Sequence, residues 1–575
     1  MADTPENYAR IAAFGREFWN RWVRTGLDAL AVQATDKHGK DRLRELIANL
    51  KLADVTPLAE SDWRDKGLDR LPELATVTFR NVDFGNLYGS RPVIFSGFVF
   101  PPQMSFAGAT FGYHVRFKGS TFGDKATFAD ATFGVDADFT GATFSGRAHF
   151  DGATFGGGAH FDGATFGGWT RFAGATFGDG ASFDGATFGG WTRFDGATFG
   201  GGAHFDGATF GDQVRCDRTT FGDRASFDGA TFGAHARFNG ATFGKHASFG
   251  GATFGDWARF AGATFGLGAS FEGRTEDQLR DILKNAIPPT LPNAKHRDAW
   301  VNARLSAAKP NRFGWISFAG ANFLGECSFI GRVFAGPVGF QAARFGKPPE
   351  FAGTEGHGFI DPHGMSVSFP RRWWWPFANR GVQSETSARI RRLRKIMADI
   401  HAQDVERALF ILERRAERAI AWNGVAAKPL YLAPWRFLKT SGLTLLQVAY
   451  QALSNFGRSI VLPFVWLFAS VAGFHAAYWQ FWAKPVRALS FFDRDLISYS
   501  LGNLLPFVNT LSPARGEVLK RLFCPTDVSG ACVASRFGEI IVPIRVELLA
   551  LGEGIINAVL LFLLLQAIRN YFKMK

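Results

Sequence analysis

The chain has 575 residues, a formal net charge of +13 and only four cysteines. That length calls for several domains, and so few thiols exclude a fold built on disulfides. The positive balance points to anionic surroundings, such as acidic lipid or nucleic acid.

Residues 1–78 read as helical, with Ile11, Phe14, Phe18, Trp19 and Trp22 at helical spacing, and Leu43, Leu46, Ile47 and Leu50 likewise. We expect a cap over the open end of the segment that follows. The opening Met-Ala-Asp-Thr-Pro-Glu-Asn is polar and has no apolar signal-peptide core, so this region is expected in the cytoplasm.

From 79 to 271 one pattern dominates. Phenylalanines stand at 150, 155, 161, 166, 172, 177, 183 and 188, alternately five and six residues apart. Two positions before each lies a small residue, as at Ala153, Ala159, Ala164, Thr170 and Ala175. Large and small inward residues with an outward one between them are the alternation of a very short strand. Gly152, Gly163 and Gly174 supply corners. A helix with an 11-residue period is the rival, but a glycine in every unit costs it about 1 kcal/mol each. A strand this short cannot bury its Phe alone, whereas stacked coils can.

The units Ala-Thr-Phe-Gly and Ala-Ser-Phe-Asp-Gly resemble those of pentapeptide-repeat proteins. The resemblance implies a mainly β solenoid, a right-handed, four-sided parallel β-helix. The extra residue in alternate units lengthens each coil to about 22 residues, and residues 22 apart do look alike: Arg171, Arg193, Arg215, Arg237 and Arg259; Asp162, Asp184, Asp206 and Asp228; Trp169 and Trp191. Cys216 takes a Phe position and is expected as a buried thiol. Trp169 and Trp191 are candidates for an interaction surface. Some pentapeptide-repeat proteins imitate DNA, which needs a strongly negative rod; here acidic and basic residues nearly balance, so that role is disfavoured.

No metal site or cofactor is expected. The Asp positions could in principle hold calcium, but Arg193 beside Asp195 and Arg215 beside Asp217 point to mutual neutralisation. His149, His160 and His204 are outward repeat positions. There is no Walker loop, His-Glu-x-x-His, Cys-x-x-Cys or Gly-x-Ser-x-Gly, so no enzyme is expected.

Residues 272–312 read as a helical insertion and 313–369 as further coils, with Phe318, Phe323, Phe329, Phe334, Phe340, Phe345 and Phe351 in the same alternation. Residues 370–458 form a basic, Trp-rich linker with juxtamembrane helices. It opens Arg371-Arg-Trp-Trp-Trp-Pro-Phe, a mixture suited equally to lipid headgroups and to Trp packing on the end of the coils, and nucleic acid is the disfavoured partner for its charged helix 384–422.

Residues 459–569 are expected to form a two-span α-helical membrane domain, and 570–575 a basic tail. One span starts near Ile460 and the second runs from about Val546 to Ile568. Flanking Arg and Lys place both ends in the cytoplasm, giving a multi-pass protein of the inner membrane. The loop between would lie outside, where Cys524 and Cys532 could pair. It carries a short segment broken at Pro506, and the second span carries Glu547 and Glu553. Span, broken helix and span resemble the pore module of two-helix cation channels, although the potassium filter Thr-Val-Gly-Tyr-Gly is absent. A single two-span chain cannot enclose a conduit, so this reading expects a homo-oligomer gated from the cytoplasm, with four copies the first candidate for a number that the sequence does not fix. Asn503, Pro506, Phe507 and Asn509 would line its narrow part, Glu553 and Asn557 its vestibule, and Gly552 and Gly554 would act as hinges. The alternative is a membrane-tethered scaffold that binds a cytoplasmic protein and does not conduct.

Overall fold

The computed structural model describes residues 11–33, 45–66, 78–84, 92–288, 293–307, 311–368, 384–426, 461–481 and 544–573, together with Tyr8, Asp41, Leu291, Arg494, Leu496, Ile497 and Tyr499. They fall into two compact units, one holding residues up to Phe369 with Glu385–Leu409, the other the remainder.

The first unit is a parallel β-solenoid. Its strands are two residues long, most often Thr-Phe, with Phe inward and Thr outward. Each pairs with the strand 22 residues away: Phe166 with Phe188, Arg171 with Arg193, Phe177 with Phe199. A fourth ladder of single bridges joins His160, Ser182 and His204. The two Thr-Phe ladders grow into sheets of 10 and 11 strands. Because the rise per coil is the strand spacing, about 4.8 Å, equivalent rings must stack. Phe155 and Phe177 lie 4.7 Å apart and 1° from parallel, and Phe166 and Phe188 repeat this. Neighbouring columns meet edge to face, as Phe161 does with Phe172 at 5.9 Å. All these rings are buried, each contributing on the order of 1.5–3 kcal/mol. Cys216 occupies the Phe column between Phe194 and Phe238, and burial pushes its thiol well above the usual range.

The insertion is spliced into one continuous solenoid. The chain leaves after Phe271 and returns at Arg312, where Ile316 pairs with Ala258, Phe323 with Phe265 and Cys327 with Ala269. The excursion contains helices α1 (Glu276–Asn285) and α2 (Ala294–Ala307). Thr275 starts α1 with a capping box shared with Gln278, as a Thr-x-x-Gln signature should. The hairpin lies along one corner column of the solenoid. A Cβ on Gly185 would stand 2.2 Å from the Ala286 carbonyl oxygen, and one on Gly207 would stand 3.0 Å from Leu283. Arg304 fixes it there, donating to the Gly207 carbonyl (3.2 Å) and the Thr187 hydroxyl (3.2 Å).

At the N-terminal end, the helix Arg16–Gln33 puts Trp19 on the first coils. Its indole N–H donates to the Val99 carbonyl at 2.7 Å, and its ring meets Phe79, Phe98 and Phe100. Asn20 accepts from the Val99 N–H and donates to the Gly97 carbonyl. At the other end, the helix Ser384–Asp399 holds Glu350 between Arg389 (3.1 Å) and Arg392 (2.7 Å), with Ile390, Leu393 and Met397 buried.

In the second unit the helices α3 (Val461–Phe481) and α4 (Ile544–Lys573) pack against each other. Among the described residues no helix is long and apolar enough to cross a membrane. The expected two-span domain is therefore not confirmed; α4 carries Arg545, Glu547, Glu553 and Arg569 along its length. Gly552 and Gly554, expected as hinges, lie within one uninterrupted helix.

A candidate binding groove of tryptophan and arginine

Thr170-Arg171 and Thr192-Arg193 are strands whose Thr points inward and whose Arg points out. Two residues before each Arg, on the same face, stands Trp169 or Trp191. The 22-residue register therefore draws two parallel ridges along the solenoid. One is aromatic: Trp169 and Trp191 stack at 5.1 Å and 3°, and further on His235, Trp257 and Trp315 follow one another at 6.5 and 4.3 Å. The other ridge is Arg171, Arg193, Arg215, Arg237 and Arg259, bridged in register. Between them lies a groove of about 460 Å³. The indoles of Trp169 and Trp191 are 54% and 49% exposed on a solenoid whose Phe rings are buried.

Carboxylates hold the outer side of the arginine ridge. Asp151 pairs with Arg171 at 2.7 Å, Asp195 with Arg193 at 3.0 Å and with Arg215 at 3.4 Å, and Asp217 with Arg237 at 2.7 Å. The equivalent positions in other coils are Ala173, Asn239 and Ala261. Five guanidinium groups thus face three carboxylates, and among the described residues Arg259 has no carboxylate within ion-pair distance. The near balance of charge along the whole repeat conceals this excess on one face.

The other acidic column has a structural task. The backbone N–H groups of Asp184, Asp206, Asp228 and Gly250 donate to the carboxylate 22 residues earlier, at 3.2, 2.8, 2.9 and 2.6 Å. Ser182, Ser226 and Ser248 donate their hydroxyls to Asp162, Asp206 and Asp228. Asp184 lacks this help, because His204 stands where the serine would be. Burial, then repulsion from Asp206, raises its carboxyl to about 7, and burial raises Asp206 too. Asp184, His204 and Asp206 bring ligand atoms within 4.8 Å of one another, but the two carboxylates already accept from backbone donors.

In the second unit, Glu553 and Asn557 are fully buried one helical turn apart, with Tyr478 and His475 on α3. The Tyr478 hydroxyl donates to Glu553 at 2.8 Å, and its ring meets Tyr499 edge-on at 5.2 Å. The opposite faces are apolar and exposed, including Phe468, Leu548, Leu551, Ile555 and Phe562. The expected pore residues Asn503, Pro506, Phe507 and Asn509, the pair Cys524 and Cys532, and the Arg371–Phe377 stretch lie outside the described residues.

Residues 106–154, 150–198, 172–220, 194–242 and 227–273 match a family model described as pentapeptide repeats (9 copies). No curated protein and no solved structure matches the chain. Matched sequence and observed coils agree, and the repeat part of this chain is a pentapeptide-repeat β-solenoid.

Proposed function

We propose that the chain is a non-enzymatic binding scaffold, whose solenoid presents the tryptophan–arginine groove and whose C-terminal helices attach it to a membrane. The observation that carries the attachment is the inverted character of α3 and α4. Their outward faces are Phe, Leu and Ile, while Glu553 and Asn557 are turned inward. In water this exposes a large apolar patch. Against acyl chains the apolar face is at no disadvantage, and polar side chains pair between helices. Solenoid and C-terminus would then lie on the cytoplasmic side of the inner membrane.

An oligomeric channel gated from the cytoplasm is the second reading. A carboxylate and an amide on one face of α4 favour it, since an ionisable group at membrane depth commonly serves a polar path. It would need Glu553 to turn from Tyr478 toward a conduit; as a seam contact, the pair serves the scaffold reading better.

Carbonate extraction of membranes from cells making the full chain tests the attachment. The full chain should stay in the pellet, and a chain ending at residue 458 should be released. Recovery of the full chain in the soluble fraction overturns the attachment. Single-channel currents in reconstituted bilayers, altered by Glu553→Gln, would decide for the channel.

A further inference from the structure

We propose that the groove takes a short single-stranded nucleic acid, with phosphodiesters along the arginine ridge and one base held between Trp191 and His235. The inference rests on the reading of the solenoid as a presenting surface and is independent of membrane attachment.

The charge argument comes first. Like charges directly opposite in neighbouring strands cost stability. Here five arginines are stacked at about 4.8 Å per coil, and three carboxylates answer them. A linear anion lying along the solenoid would relieve that repulsion, and planar guanidinium groups suit phosphate oxygens.

The aromatic ridge then selects among anions. It is interrupted once between Trp169 and Trp257, at Gln213. Trp191 stacks on Trp169 on one side, and His235 stacks on Trp257 on the other. Trp191 and His235 are two coils apart, about 9.6 Å. A flat ring touching both walls would need about 7–8 Å, so the gap admits one ring, stacked on one wall with roughly 2 Å to spare at the other. Gln213, exposed at the floor of this notch, offers an amide that can both donate and accept toward a base edge.

Other polyanions fit less well. A pyranose ring is not flat on both sides. A duplex shields its base faces and exceeds a groove of about 460 Å³. Stacking on aromatics beside a basic track is the general way single strands are held without sequence readout.

The test is fluorescence anisotropy with a labelled oligo(dT) 12-mer and the detergent-solubilised full chain. Expected is saturable binding that weakens with salt. Arg193→Ala with Arg237→Ala should lower the slope of log affinity against log salt by about 1.4, roughly 0.7 for each phosphate no longer neutralised. Gln213→Trp should fill the notch and weaken binding at least tenfold while leaving the slope unchanged. Unaltered thermal melting shows that these surface variants fold. Absence of binding at low salt, or binding indifferent to both variants, overturns the proposal. If instead a uronate glycan binds and both variants weaken it while the oligonucleotide does not bind, this ligand is wrong and the scaffold reading stands. If no polyanion or protein ligand ever depends on the groove, both fall.

Discussion

Arg332 illustrates how one side chain pays for an insertion. It stands where other coils carry an inward alanine, as at Ala230 and Ala252, and it is fully buried. In an unbroken coil the Ala252 carbonyl would accept from the residue 23 ahead, as Ala230 does from Thr253. That residue is Thr275, whose N–H is taken by Gln278 in the capping box. The Phe271 carbonyl likewise loses its turn donor, because the Arg274 N–H goes to Asn311. The guanidinium replaces both, donating to Phe271 at 2.5 Å and Ala252 at 2.8 Å, and also to Phe249 at 2.7 Å, with Phe313 4.7 Å beneath it. Burial lowers its pKa to about 9, so the charge is retained at neutral pH. Arg332→Leu would leave these carbonyls buried without that donor and should cost about 3–5 kcal/mol. A urea midpoint for the variant indistinguishable from the parent would contradict this account.

At the scale of elements, the α1–α2 hairpin lies along the Gly185–Gly251 corners, and Asp184 and Asp206 are half-buried on the same side of the coils. The consequence is a pH dependence with a definite sign. Unfolded, Asp184 loses its proton near 3.8; folded, it holds it to about 7. Between those values the folded state binds more protons, so stability falls as pH rises. The favourable contribution is complete below about pH 4 and gone above about pH 7. Asp184→Asn keeps an oxygen for the Asp206 N–H and removes the charge. Its melting temperature should match the parent at about pH 4 and exceed it at about pH 8 by a few degrees. Parallel melting curves across that range would rule out the assigned cause. The Leu283 contact at Gly207 makes a second lever: Leu283→Asp should detach the hairpin, expose Asp184 and flatten the same slope.

For the whole molecule, interior and surface obey different periods, and this decides what could be read from sequence. Inward positions repeat every 11 residues, since Phe and Ala serve all faces alike; Phe spacing therefore specified the strands and buried Cys216, while the coil of 22 residues and its ladder partners needed the four-sided resemblance and the outward residues 22 apart. Outward positions repeat every 22, so the arginine and tryptophan ridges were visible as sets of residues. Their net charge was not, because it depends on Ala173, Asn239 and Ala261 lying on that particular face. Nor was the notch, which is a missing ring at Gln213 rather than a residue that announces itself. Arg332 could have been found, as a charge in an inward column. The two periods can be separated by deletion. Removing Ala129–Phe150 joins Phe128 to Asp151 and keeps every column in phase. Removing Ala173–Phe183 joins Phe172 to Asp184 and still sets Phe on Phe, but brings Gly202 onto Trp169 and His204 onto Arg171. Both chains should melt cooperatively within a few degrees of each other, because stability is a sum over neighbouring coils. Only the second should lose the near-ultraviolet circular dichroism of the stacked Trp169–Trp191 pair, together with any ligand that needs an unbroken groove. If the shorter deletion keeps that signal, the 22-residue surface register is wrong; if it fails to fold, the interior distinguishes faces that its sequence treats as equal.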